Sequence, residues 1–462
     1  MDGFELSPGT GAKLPIGFGV RDDAMLQSAA RSYGNEYGAG RHFDARKAKL
    51  ASGYDVPGMN RAATICHWGR SGSLLLSSYL DHHPHIVMLP YAASESIYNF
   101  FEEYESLSVW EKLVAYPTYS ASKKGADGDF FLKNNPVGDF AIEAVDYYGA
   151  VHAFFEAYGD APSSWLVTRS AFFQLLHAVY GVASGRTLAT ARPLMVHAQH
   201  YMDERLAARL VEDFPDARFI HTIRDPITSI DSWFDRRLEM EMYGCGNRLE
   251  TKAQYLDMAV ATMIDLLAWD AGHRHMESRT RAVRFEDMHT EPEAVMRKLA
   301  DWLGIPFLPC MLESTWNGTP YVVRIRGVPS CGPNPANAKR RSRNLNVADR
   351  LLIYALMHAN FAAWKYPSPA ALERGWLRVC VIAVTCLLPM KMEMLTARLV
   401  VLKQALPALA NGRIAFFLGA PLFLLARRLR MMWVVVTAAR LRLSGRNALL
   451  KVLMVDCVAK RS

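Results

Sequence analysis

One stretch constrains this chain more than any other: Ala63-Thr64-Ile65-Cys66-His67-Trp68-Gly69-Arg70-Ser71-Gly72-Ser73-Leu74-Leu75-Leu76. An apolar, β-branched run leads into two glycines and two serines, and a second apolar run follows. That order predicts a buried strand over Arg61–Trp68, a tight turn, and a helix over Leu74–Asp81. Gly69 and Gly72 admit backbone angles closed to other residues. Ser71 and Ser73 offer hydroxyls, and the first helical turn offers unpaired N–H groups. Arg70 adds a permanent cation with a fork that fits two phosphate oxygens. Strand, small-residue loop and helix N-terminus together make a phosphate cradle.

The residues beyond the cradle place further chemistry at strand ends. Ile86–Leu89 reads as a second strand, and Glu95 follows it where ligand sites of α/β sheets lie. Glu95 is either a general base or an ordinary acid at a helix N-terminus, where the dipole favours it. The His82-His83-Pro84-His85 run ends the preceding helix and reads as a solvated loop, since its spacing gives no paired face for a metal. Lys133 ends a strand-like run and is a candidate contact for an anionic bridge oxygen. Pro193–His197 and Arg218–Ile223 are further strands. After the latter come Arg224-Asp225-Pro226 and a helix over Ile227–Phe234, with the proline well placed in its first turn. Ser232 lies about two turns along that helix from Arg224, so both side chains can address one anion.

Arg281–Glu286 is a further strand, and Glu291–Leu303 a helix closed by Gly304 and Pro306. Residues 318–346 read as one long Pro/Gly/Asn-rich loop carrying Lys339, Arg340, Arg341 and Arg343, expected to act as a basic lid. Strands alternating with helices predict an α/β domain with a largely parallel sheet of P-loop type over 61–366, after a lead-in over 1–60.

Charge and cysteine content exclude several classes. The net charge is +8, but residues 370–462 hold 15 Lys/Arg against 3 Asp/Glu, leaving 38 basic and 42 acidic residues elsewhere. The basic balance therefore belongs to the tail, and no nucleic-acid partner is expected. The seven scattered cysteines contain no C-x-x-C pair, which argues against a disulfide framework and a zinc site. The first residues lack a basic n-region and an apolar core, so a cytoplasmic protein without a signal peptide is expected.

In the tail, the apolar runs Val379–Met390, Ile414–Ala426 and Met431–Ala439 each fall short of the ~18–20 residues of a spanning helix. Joining the last two would place Arg427, Arg428 and Arg430 mid-membrane, at roughly 2.5–3.5 kcal/mol each. Interfacial helices on an anionic membrane surface, at its cytoplasmic face, are expected; the alternative is a helical bundle packed on the body.

Two of these stretches share a precedent. Gly69–Leu75 resembles the 5′-phosphosulfate loop of sulfotransferases that use 3′-phosphoadenosine 5′-phosphosulfate (PAPS). Arg218–Trp233 resembles their 3′-phosphate motif, and Val283-Arg284-Phe285-Glu286-Asp287 also resembles the family. The likeness is to the Golgi-type and bacterial branches, where Arg-Ser-Gly-Ser replaces Lys-Ser-Gly-Thr. It implies that Gly69, Arg70, Ser71, Gly72, Ser73 and Leu74 hold the 5′-phosphosulfate. It implies that Arg224 and Ser232 hold the 3′-phosphate, with Arg340 and Arg341 adding contacts, and that Glu95 is the catalytic base. No metal is implied. The acceptor would be a glycan, a glycolipid or a small molecule; oligomeric state is not legible.

Two departures stand out. Leu74 replaces a second hydroxyl, and Ala198-Gln199-His200-Tyr201 stands where bacterial relatives have a Lys-Thr-Pro turn. The cation near the sulfuryl group is then Lys133, His197 or His200. A P-loop NTPase or kinase would need Gly-x-x-x-x-Gly-Lys-Ser/Thr, and no lysine follows Gly72. An inactive membrane-bound scaffold of the same fold is the remaining alternative, and the presence of Arg70, Arg224 and Ser232 speaks against it.

Overall fold

A computed structural model describes residues 26–30, 33, 45–67, 71–89, 94–124, 142–200, 202, 204–232, 274–325, 328–338, 345–391, 394, 397–398, 401–443 and 453. Five strands form the main sheet: β1 (Ala62–His67), β2 (Ile86–Leu89), β3 (Leu194–His200), β4 (Arg218–Ile223) and β5 (Thr280–Arg284). Their order is β2-β3-β1-β4-β5. β2 and β3 run parallel, with Ile86 opposite Leu194 and Leu89 opposite His197. The expected α/β architecture with a parallel sheet is what the chain adopts.

The helices used below, in chain order, are α1 (Ser73–Leu80), α2 (Ser94–Glu103), α3 (Arg169–Ala183), α4 (Phe285–Thr290), α5 (Pro292–Leu303), α6 (Val347–Leu356), α7 (Gly375–Leu387) and α8 (Ile414–Leu443). β1 is central, and the chain leaves it first to one side of the sheet and later crosses to the other. Its carboxyl end is therefore a topological switch point, where α/β proteins keep their ligand crevices.

Two compact units divide the chain. The first comprises Met1–Cys66, Ser73–Ile220 and Glu291–Pro333. Here β2 is fully buried, and aromatic rings fill the space beside α2 and α3. Phe100 lies 4.8 Å from Tyr119 and 5.8 Å from Phe172, centroid to centroid. α5 ends as expected at Gly304, which takes the left-handed φ of 67° and donates its N–H to helix carbonyls.

The histidine run after α1 departs from expectation. His83 is buried, not solvated: its Nε2 lies 2.9 Å from the Pro306 carbonyl, and its Nδ1 accepts from the His85 N–H at 3.2 Å. Burial holds its imidazole below the usual range. Next to it, buried Asp81 pairs with Arg186 and accepts from Thr315 Oγ1 at 3.1 Å and from the Gly318 N–H at 3.0 Å. The stretch beginning at Gly318 is not the structureless loop expected either. Val322–Ile325 and Val328–Cys331 pair as an antiparallel hairpin, and Pro335–Ala338 is a short helix. β-branched residues on both arms account for the hairpin despite the surrounding prolines.

The second unit comprises His67–Gly72, His221–Thr290 and Asn334–Ser462. α6 opens with a capping box: the Asn346 side chain accepts from the Asp349 N–H at 2.8 Å, and Asp349 returns a bond to the Asn346 N–H. The Asp349 carboxylate also accepts from the Lys391 N–H, which fixes the chain after α7. Ile223, Ile227, Ala282, Leu352, Phe361, Cys386 and Val435 share one hydrophobic cluster. The tail helices thus have an inner face packed into a core.

The two apolar runs after Ile414 are not separate helices. α8 is continuous for 30 residues, with Pro421 inside it and the arginines at 427, 428 and 430 within its length. Arg428 explains how one is accommodated, since it donates to the Cys386 carbonyl that ends α7. Among the described residues, no helix is long and apolar enough to cross a membrane.

Candidate active site

The second unit contains Ser71, Gly72, Arg224 and Ser232, four of the residues expected to bind anions. Ser71 is buried, and its hydroxyl lies 2.8 Å from that of Thr222 on β4. The serine therefore braces the loop after β1 against a neighbouring strand. Gly72 has a φ of 94°, a conformation that costs other residues dearly. A Cβ placed there would collide with the ring of Phe285 and come within 3.2 Å of Met288 Cε. Glycine is required at this position on both counts.

Phe285 opens α4 and also contacts Arg224. The buried Arg224 guanidinium lies over the Phe285 ring, 4.3 Å from the centroid. One aromatic side chain thus touches both the Gly72 turn and the arginine expected to hold a second anion. His289, one turn later, packs against the same ring at 4.4 Å and accepts the Asn334 N–H on Nδ1 at 2.9 Å. Burial, assisted by the charge of Arg224, pushes its imidazole down to about 4. It is neutral at physiological pH and leaves Arg224 as the cation of that pair.

Asp225 and Pro226 turn the chain into a helix over residues 226–232, which carries Ser232, itself buried. Asp225 Oδ1 accepts from the Thr228 N–H at 2.8 Å and so caps this helix. Burial raises the Asp225 carboxyl above its usual range. The Asp225 N–H donates to Glu286 Oε1 at 3.2 Å, while Tyr366 Oη donates to Glu286 Oε2 at 2.6 Å. Burial, then the facing Glu286 charge, pushes the Tyr366 phenol up and keeps it a donor. The Arg284 guanidinium lies over the Tyr366 ring at 4.5 Å.

The first unit holds the other candidates. Ser73, buried, opens α1, and Leu74 follows it, half-buried. Glu95 lies exposed in the first turn of α2. Its N–H donates to Gln199 Oε1 at 3.2 Å, and the buried Ser94 hydroxyl donates to the same oxygen at 3.1 Å. Gln199, from β3, thereby fixes the turn that carries Glu95. His200 closes β3. His197 is fully buried with its Nε2 3.0 Å from Thr64 Oγ1, and burial depresses its imidazole strongly. That side chain is a neutral core group, not a cation for a sulfuryl oxygen. Gly69, Arg70, Lys133, Arg340 and Arg341 lie outside the described residues. Among those described, no cluster of three or more His, Cys, Asp or Glu is placed to hold a metal.

The sequence reading passed over Thr222, the ring of Phe285 as a bridge, the Tyr366–Glu286 pair and Gln199. A signal existed for three of them. Phe285 and Glu286 stand in the stretch singled out after β5, and Gln199 stands in the tetrapeptide singled out after Ala198.

The fold is that of an α/β protein whose expected anion-binding residues Ser71, Gly72, Arg224 and Ser232 follow strands of the sheet. The sulfotransferase family profile matches residues 65–309, and the chain belongs to that family. Curated relatives include the omega-hydroxy-beta-dihydromenaquinone-9 sulfotransferases of Mycobacterium bovis and Mycobacterium tuberculosis. Each is 33% identical over 106 residues, a stretch that is 22% of this chain and 27% of the relative's own length. Among solved structures, the sulfotransferase domain of the Synechococcus olefin synthase is 19% identical, covers 67% of this chain and 96% of its own, and superposes with a TM-score of 0.38. A sulfotransferase of Mycobacterium avium is 16% identical, covers 62% of this chain and 73% of its own, with a TM-score of 0.30.

Proposed function

We propose that this sulfotransferase moves the sulfuryl group of PAPS to a hydroxyl of a carbohydrate, glycolipid or other membrane-borne acceptor, at the cytoplasmic face of a membrane. The observation that carries the donor assignment is the Phe285 ring, which lies against both the Gly72 turn and Arg224. A donor with anions at both ends suits two anion subsites joined in this way. The family membership supports PAPS, since sulfotransferases of this family generally use it. The mycobacterial relatives are named for an omega-hydroxy acceptor, which favours a hydroxyl on an apolar molecule over an amine.

Sulfuryl transfer depends on position and charge stabilisation more than on covalent help from the enzyme. The acceptor oxygen forms its bond to sulfur as the bond from sulfur to the 5′-phosphate oxygen breaks. Glu95 takes the acceptor proton, a contribution of about 10²–10⁴ in rate. Arg70 and the N–H groups at the start of α1 meet the charge left on the phosphate. Arg224 and Ser232 hold the 3′-phosphate, and Lys133 or His200 is the cation beside the sulfuryl oxygens. Arg340 and Arg341 add neutralising charge.

The test is incubation with sulfur-labelled PAPS and host lipid, polysaccharide and small-molecule fractions. Label in a lipid or polysaccharide fraction is expected. Equal binding of PAPS and adenosine 5′-phosphosulfate, with no fraction labelled, would overturn the assignment.

A further inference from the structure

Among the described residues, large apolar side chains are well hidden until the tail. Of the twenty such side chains that stand exposed among the described residues, seventeen fall between Trp376 and Val436. On α8, Leu418, Leu422, Leu425, Leu429 and Trp433 follow one another at steps of three and four, so they form one stripe. Leu422 is 69% exposed and Trp433 66%. On α7, Trp376, Val379 and Leu387 form a second exposed row.

These rows are not frayed ends. The opposite side of α8, with Val435 and Ala439, is packed into the hydrophobic cluster, as is Cys386 of α7. Cys386 Sγ lies 3.9 Å from the Met432 carbonyl, and Arg428 donates to the Cys386 carbonyl, so the two helices are fastened by their inner faces. An apolar surface of this extent marks a partner.

We propose that the outer faces of α7 and α8 dock flat into the headgroup layer of an anionic lipid bilayer. Charge decides between occupants. Residues 370–462 hold 15 basic and 3 acidic side chains, so a symmetric second copy would face like charge with like. An anionic bilayer complements that charge, while the leucines reach the acyl boundary and the tryptophans sit at headgroup level. Spanning is not available to any described helix. This deepens the membrane-borne acceptor reading above and rests on it only for where the acceptor resides.

The test uses the full chain, without donor or acceptor, floated with vesicles of phosphatidylcholine alone or of phosphatidylcholine with phosphatidylglycerol. Flotation with the anionic vesicles is expected. The triple variant Leu422→Ser, Leu425→Ser, Leu429→Ser should partition about tenfold less, or weaker still, because three apolar side chains leave the acyl boundary. Its circular dichroism and melting midpoint should stay unchanged, since these side chains lie outside the core. Brominated lipid should quench the tryptophan emission, and Trp376→Phe with Trp433→Phe should remove most of that quenching.

Binding abolished by salt yet untouched by the leucine substitutions would overturn the apolar docking face. So would a protein that ignores both vesicles and instead forms a dimer the triple variant dissociates. Because binding is read without PAPS, its failure leaves the sulfuryl-transfer assignment standing, and the reverse holds too.

Discussion

The guanidinium of Arg224 lies over the ring of Phe285 at 4.3 Å, and the same ring lies against the Gly72 turn. The arginine is thereby aimed by an aromatic face before any ligand arrives. A desolvated cation–π contact is worth about 2 kcal/mol, or ~30-fold in Kd if all of it supports the bound state. Phe285→Leu keeps apolar volume and removes the π face. It should weaken PAPS binding by up to about 30-fold. Adenosine 5′-phosphosulfate, which lacks the 3′-phosphate, should be affected less. Calorimetric titration with both ligands reads the difference.

Gly72→Ala meets two obstacles at once. The φ of 94° is strained for any L side chain, and the new methyl group would strike Phe285. The expected cost is about 1–3 kcal/mol, shared between fold stability and loop geometry. A lower melting midpoint together with a weaker PAPS titration is expected. Phe285→Leu combined with Gly72→Ala should recover part of the clash but none of the backbone strain.

Tyr366 acts on Arg224 at one remove. Its hydroxyl donates to Glu286 at 2.6 Å, and Glu286 accepts the N–H of Asp225, the residue after Arg224. Tyr366→Phe leaves the ring under Arg284 but strips one donor from a part-buried carboxylate. A loss of about 1–3 kcal/mol is expected. If the pair positions the Arg224-Asp225-Pro226 turn, the KM for donor rises while kcat is nearly kept. Steady-state kinetics at saturating acceptor separates the two constants.

Legibility in the sequence followed the range of the interaction. Glycine punctuation and apolar runs are local, so β1 and α1 fall within a residue or two of expectation, and α5 stops at Gly304 as its sequence implies. The Arg224-Asp225-Pro226 turn was legible for the same reason. The bridge from Gly72 through Phe285 to Arg224 was not, because side-chain pairing between distant strand ends leaves no periodic trace. Nor was the burial of His83, which depends on the Pro306 carbonyl from a distant segment. The arginines at 427, 428 and 430 suggested a break between helices. The helix is nonetheless continuous through them, and Arg428 finds a carbonyl partner on α7.

Two buried histidines predict how the protein responds to acid. His177, fully buried on α3, has its imidazole pushed down to about 4 by desolvation, against a bond to the Phe173 carbonyl. His289 is pushed down to about 4 by burial and by the neighbouring charge of Arg224. In the unfolded chain both return to the ordinary value of about 6.5. Between about pH 6.5 and 4 the unfolded state therefore binds more protons than the native one, and stability falls as pH falls through that window. Above about 6.5 this contribution is fully present.

At His289 the neutral ring also makes one bond that protonation would break, since Nδ1 must stay unprotonated to accept the Asn334 N–H. His289→Gln keeps an acceptor and cannot titrate. Urea midpoints measured across pH 4–7 should slope less steeply in that variant than in the parent. An unchanged slope, or a His289 ring resonance titrating near 6.5, would count against a neutral imidazole beside Arg224.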